Sequence, residues 1–262
     1  MRALIGTSWK MNLTSSEAHH WFAELLPRVA GLDACDLFVL PPYTSIWVAR
    51  DQLRGTGVAW GAQDVHPDDA GAHTGDVSAA MLADLGCSFV EVGHSERRRA
   101  HRETSELIAA KVAAVLRWGM RPIICVGEPR PVPPSEVLPI LEADLGVVLE
   151  AVGGRDLERV VVAYEPHWAI GEGARPASPE HVGAVCAGLG DWLLSRPGGA
   201  RSTIIYGGSV DEGSAPAVLE TPGVDGLFVG RYALDPERFA RIAWAGARHA
   251  SLHSAPGTRG SP

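Results

Sequence analysis

Three residues in this 262-residue chain stand where chemistry could be done, each shortly after an apolar run. Glu165 follows Val160–Tyr164, His94 follows Phe89–Val92 and a glycine, and Lys10 follows Ala3–Thr7 within three residues. A carboxylate ending a buried strand is costly unless it is paired or used, which makes Glu165 the candidate general base. Behind it, Pro166 through Gly173 combines a rigid proline, two bulky apolar residues, Glu172 and two glycines. That composition suits a lid that moves as a block and excludes water. His94 should open a helical turn, where backbone N–H groups disfavour a charged imidazole and leave a neutral hydrogen-bond donor. Lys10 can neutralise an anion. Taken singly, Lys10 has the ordinary reading of a solvated loop cation. His94 has that of a structural histidine, and Glu165 that of a salt-bridged loop residue. Glu96 and Arg97 are adjacent opposite charges suited to orienting neighbours rather than to reacting.

Glycines cluster after the last two apolar runs, in Tyr206-Gly207-Gly208-Ser209-Val210 and Val229-Gly230-Arg231. Backbone N–H groups freed by such turns converge on anions. The chain has neither a G-x-x-x-x-G-K-[ST] loop nor a dinucleotide fingerprint, so a phosphate held there belongs to a substrate rather than a nucleotide. The net charge of −8 and the lack of a Lys/Arg run argue against nucleic acid and anionic membrane as partners. The four cysteines are widely separated, which predicts neither disulfides nor a zinc site, and Cys125 reads as a buried thiol. No signal peptide and no apolar stretch of about 18 residues is present, so a cytoplasmic location is expected.

The elements that position these residues follow from the alternation of short apolar runs with amphipathic stretches. The runs Ala3–Thr7, Asp36–Leu40, Val58–Ala62, Phe89–Val92, Pro122–Val126, Val160–Tyr164, Thr203–Tyr206 and Gly226–Val229 are mostly apolar without clean alternation, as in parallel strands buried on both faces. Trp21, Leu25 and Val29 share helical spacing, as do Ile108, Val112, Val115 and Leu116. Ser178-Pro179-Glu180 and Asp235-Pro236-Glu237 are helix starts with a capping side chain before a proline. Eight such units predict a single-domain α/β fold, a (β/α)8 barrel over residues 1–248, with a flexible C-terminal tail over 249–262. A doubly wound open sheet is the alternative. In a barrel the active site forms on the loops after the strands, which is where Lys10, His94 and Glu165 lie.

Trp9-Lys10-Met11-Asn12, Gly93-His94-Ser95-Glu96-Arg97-Arg98, Tyr164-Glu165-Pro166 through Gly171, and Tyr206-Gly207-Gly208-Ser209-Val210 together resemble the triosephosphate isomerase family, in order from about residue 3 to residue 245. The resemblance implies a Glu base with a neutral His electrophile, the pairing known for that family. Glu165 would move the proton, His94 would polarise the oxygens of an enediolate, Lys10 would supply positive charge and Glu96 would support the site. Backbone N–H groups of Gly171, Ser209, Gly230 and Arg231 would hold the phosphate, without metal or organic cofactor. The Gln63–Gly75 loop resembles the family's dimer loop, with Thr74 reaching a partner near Lys10 and His94, which implies a homodimer. Three departures stand out. Ser8 replaces the usual Asn beside the substrate, Arg231 replaces a Gly, and Gly173 to Ser178 makes a longer hinge stiffened by Pro176. These features resemble a branch acting on tetrulose phosphates in erythritol-type catabolism, L-erythrulose 1-phosphate with D-erythrulose 4-phosphate. That pair is the leading substrate expectation, triose phosphate the second, and a catalytically silent sugar-phosphate-binding barrel a minor third.

Overall fold

The structure, a computed structural model, describes residues 2–153, 156–171, 173–196 and 202–254, the last four by backbone alone. Glu172 and residues 255–262, both named above, lie outside them. Eight parallel strands close into one barrel in sequence order: β1 Ala3–Ser8, β2 Cys35–Leu40, β3 Val58–Ala62, β4 Phe89–Val92, β5 Arg121–Val126, β6 Val161–Tyr164, β7 Thr203–Tyr206 and β8 Gly226–Val229. The ring is completed by pairing of β1 with β8. Helices run between them: α1 Ser15–Arg28, α2 Ile46–Leu53, α3 Ala79–Asp84, α4 Ser95–Ala100, α5 Ser105–Arg117, α6 Pro134–Ala151, α7 Pro179–Leu194, α8 Ala215–Leu219 and α9 Pro236–Ser254.

The apolar runs are buried on both faces because each faces two cores. One lies between sheet and helices and takes Val90, Val92, Val162 and Tyr164 together with Trp21, Leu25, Ile108 and Val112. The other fills the barrel, with Leu4, Phe38, Phe89, Ile123, Ile205 and Phe228 among its members. Phe38 stacks on Phe89 at 4.8 Å between ring centroids and packs on Phe228 at 5.6 Å. A Cβ at Gly6 would come within 1.9 Å of the Phe38 ring, so only glycine lets this plug form. Burying each such ring contributes about 1.5–3 kcal/mol, and the plug is the floor on which the polar residues of the mouth rest.

The helix starts behave as their sequences predict. Ser178 accepts the His181 N–H ahead of α7, and Asp235 accepts the N–H groups of Glu237 and Arg238 ahead of α9. The last helix, α9, spans Pro236–Ser254. No helix among the described residues is long and apolar enough to cross a membrane.

Candidate active site

The strand ends deliver their polar residues to one cleft of about 230 Å³. Ser8, Lys10, Glu96, His94, Glu165, Gly171, Ser209, Gly230 and Arg231, all singled out from sequence, line it together. Glu91, Ile170, Gly207 and Phe228 line it as well.

His94 caps α4: its Nδ1 accepts the Glu96 N–H at 3.1 Å. An imidazole that accepts at Nδ1 and is neutral carries its proton on Nε2, and Nε2 lies 3.3 Å from Glu165 Oε2. Burial, helped by the Lys10 charge, pushes the His94 pKa down to about 4. The ring is thus a neutral donor aimed into the cleft.

Glu165 leaves β6 with its N–H on the Val126 carbonyl at 2.8 Å, and the residue is 4% exposed. Its Oε2 is buried without a hydrogen-bond partner among the described residues. Burial raises its pKa well above the ordinary carboxylate value, and the neighbouring Glu91 charge raises it further. An ionised carboxylate held this way is a strong base with a lone pair to spend. The carboxylate fits because residue 207 is glycine, where a Cβ would sit 2.6 Å from Glu165 Oε1 and 2.7 Å from its Cγ. Gly207, read from sequence as part of an anion loop, is also the clearance for the base.

Lys10 has a left-handed backbone, φ 55°, a conformation costing a non-glycine residue roughly 1–2 kcal/mol. Its carbonyl and that of Leu40 both accept from the Gln63 amide, at 3.0 and 2.9 Å, which holds the turn in place. The ammonium meets Glu96 Oε1 at 2.7 Å. Burial works against the charge on Glu96, but the Lys10 hydrogen bond and charge outweigh it and keep its pKa below the ordinary value. Glu96 therefore stays an anion that holds Lys10 at the cleft wall.

At the other end the polar groups are mostly backbone. Gly171, at φ 110°, follows the 3-10 turn His167–Ala169, and Ser209 donates both its N–H and its hydroxyl to the Ala169 carbonyl, at 3.2 and 2.8 Å. Arg231, whose side-chain position the sequence leaves open, donates from Nη2 to the Gly171 carbonyl at 3.0 Å, bridging the loops after β6 and β8.

Several residues here escaped the sequence reading. Glu128 accepts from Trp168 Nε1 at 2.6 Å and Tyr164 OH at 3.2 Å, while its carbonyl accepts the His167 N–H at 3.0 Å. It moors the segment behind Glu165. Glu91 receives the Ser8 hydroxyl at 2.7 Å and the Cys125 thiol at 3.7 Å. Glu91, His94 and Glu165 offer ligand atoms within 4.8 Å of one another, a spacing that a metal ion could bridge. With its Nδ1 engaged, however, His94 turns an N–H rather than a lone pair toward the carboxyls, which suits hydrogen bonding.

A family model described as triosephosphate isomerase matches residues 3–245. The chain belongs to the triosephosphate isomerase family. Curated relatives of that name include the proteins of Thermus thermophilus, 44% identical over 92% of this chain and 97% of theirs, and Coxiella burnetii, 42% identical over 92% and 96%. A crystal structure of triosephosphate isomerase from Bartonella henselae superposes with a TM-score of 0.82 at 33% identity, covering 94% of this chain and 99% of that one. The chain is accordingly an aldose–ketose isomerase of the triosephosphate isomerase type.

Proposed function

We propose that the chain interconverts dihydroxyacetone phosphate and D-glyceraldehyde 3-phosphate by a 1,2-proton shift. The observation that carries this reading is the buried, unpartnered Glu165 Oε2 lying 3.3 Å from the Nε2–H of a neutral His94. Glu165 takes a proton from the carbon beside the carbonyl, and the electron pair moves onto the carbonyl oxygen. His94 and Lys10 stabilise the resulting enediolate, the hydroxyl proton passes from one of its oxygens to the other, and Glu165 returns the carbon-bound proton to the neighbouring carbon as the second carbonyl forms. Glu96 keeps Lys10 in place. Backbone N–H groups of Gly171 and Gly230, with Arg231 beside them, receive the phosphate, and the Ser209 N–H joins them by exchanging the Ala169 carbonyl for a phosphate oxygen. The segment after Pro166 closes over the substrate, because an exposed phosphorylated enediolate would expel its phosphate.

The triose takes first place over the tetrulose expected from Ser8, Arg231 and the hinge because the relatives reported above bear the triose name. A tetrulose phosphate stands second, supported by the Ser8–Glu91 hydrogen bond beside the reacting pair. A side-by-side assay of kcat/KM for dihydroxyacetone phosphate and L-erythrulose 1-phosphate decides between them. Faster turnover of the tetrulose would overturn the order, and no turnover of either would leave a silent barrel.

The same reading makes the protein a cytoplasmic homodimer. Residues 71–76 are exposed, and so are Met11, at 96%, and Trp47, at 57%. A second cleft of about 380 Å³ beside Lys10, Met11, Gln63 and His94 is open to a partner's Thr74. The loop's base is rigid where Asp64 meets Lys111 at 2.6 Å and Arg97 at 2.7 Å. Sedimentation equilibrium that returned a monomer at micromolar concentration would refute the dimer.

A further inference from the structure

Glu91 is a buried titratable group that the proton shift does not use. It sits inside β4, where Phe89 and Glu91 face the barrel interior while Val90 and Val92 face the helices. Its β5 register partner, Ile123, belongs to the apolar plug, so the carboxyl stands directly on hydrocarbon. A carboxyl 3% exposed in such surroundings calls for an ion pair if its task is to hold the fold. No Lys or Arg among the described residues lies within salt-bridge reach of it. It has only the Ser8 hydroxyl and the Cys125 thiol, both small. The remaining side of the carboxyl borders the cleft.

Its place along the substrate is set by topology. In a closed ring of eight strands, β4 lies across the mouth from β8, whose exit carries Gly230 and Arg231. Glu91 is therefore at the end away from the phosphate loops, with its oxygens within 4.8 Å of the reacting groups of His94 and Glu165. Burial, only partly offset by the Ser8 hydrogen bond and the Lys10 charge, moves its pKa up to about 7. Two carboxyls this close do not both ionise readily, so the pair keeps a proton between them, and Glu165 acts as the base in the state in which Glu91 carries it. A neutral carboxyl offers one donor and one acceptor, the complement of an alcohol.

We infer that Glu91 is a specificity-determining residue that binds a hydroxyl on a carbon beyond the two reacting ones, so that the site accepts phosphorylated sugars one hydroxymethyl longer than a triose phosphate. The inference rests on the reading of Glu165 and His94 as the reacting pair. Ser8 orients the carboxyl, and its short side chain leaves room beside it.

The test measures kcat/KM for L-erythrulose 1-phosphate and for dihydroxyacetone phosphate in wild type, Glu91→Leu and Glu91→Gln, with thermal melting as a check on folding. The ratio of tetrulose to triose efficiency is expected to fall at least tenfold in Glu91→Leu and less than threefold in Glu91→Gln, whose amide keeps a donor and an acceptor. Should Glu91→Leu fail to fold, Ser8→Asn, which fills the space beside the carboxyl, is expected to lower the same ratio. Equal losses on both substrates would mark a structural role and overturn the inference. A wild type that turns over the triose alone would overturn it too, leaving the isomerase reading intact. A wild type inert to both would sink that reading itself.

Discussion

At one end of the cleft stand the side chains of Glu91, inside β4, and of His94 and Glu165, just past the ends of β4 and β6, 3%, 6% and 4% exposed. At the other, Gly171, Ser209 and Gly230 present backbone from the loops after β6, β7 and β8, and two of the three are exposed. The first end needs a rigid, water-poor frame, because proton transfer depends on fractions of an ångström and on unscreened charge. The second needs only donors that converge on an anion, which glycine-rich turns supply without desolvating a charged side chain. If this contrast is right, changes at the buried end alter kcat and protonation, while changes at the exposed end alter KM and salt response.

The largest expected effect is that of Glu165→Gln, which keeps the shape and removes the base. The rate constant kcat should fall by at least ~10²–10⁴-fold, and a near-normal rate would break the assignment. Gly207→Ala tests which end that glycine serves. Its methyl would press on the Glu165 carboxylate, so kcat should drop about 100-fold with a smaller change in KM. A rise in KM alone would return Gly207 to the phosphate end.

Glu91→Leu is next. Glu91 has its pKa raised from 4.5 to about 7, so the folded state favours the protonated form. Its contribution to stability is complete below the unfolded value and is lost as pH rises through 7. Denaturant titrations should show Glu91→Leu gaining about 3 kcal/mol on the wild type between pH 4.5 and pH 7. A pH-independent difference would mean that Glu91 is ionised throughout. Smallest is Arg231→Ala, where an exposed cation is lost. KM should rise roughly two- to fivefold, less at high salt, with kcat nearly constant. A collapse of kcat would show that Arg231 acts on the chemistry.

The same contrast explains what the sequence made legible. Glu165, His94 and Lys10 lie just outside apolar runs, and a barrel places strand exits at its active face, so position alone exposed them. The barrel was legible in eight short, mostly apolar runs alternating with helical stretches, a pattern that left a doubly wound open sheet as the alternative. Glu91 lies inside such a run, Phe-Val-Glu-Val, and was absorbed into the strand. A charge within a strand apolar on both faces was the available signal, but only the inward register of Phe89 and Glu91 turns it toward the cleft. Gly207 and Glu128 act on residues that folding brings near, so their local sequence carries no mark of it. Arg231 was visible as a cation, but its partner, the Gly171 carbonyl, lies 60 residues away.

Glu128 also bears on how quickly the site can close. With Trp168, Tyr164 and the His167 amide all held by one residue, and the Ala169 carbonyl held by Ser209, the segment behind the base is already ordered as far as Ala169. Each residue fixed beforehand spares about 1–2 kcal/mol of backbone entropy at the moment of closure. The mooring thus shortens the stretch left to organise over each substrate molecule, and it lets a modest phosphate-binding energy suffice to shut the site.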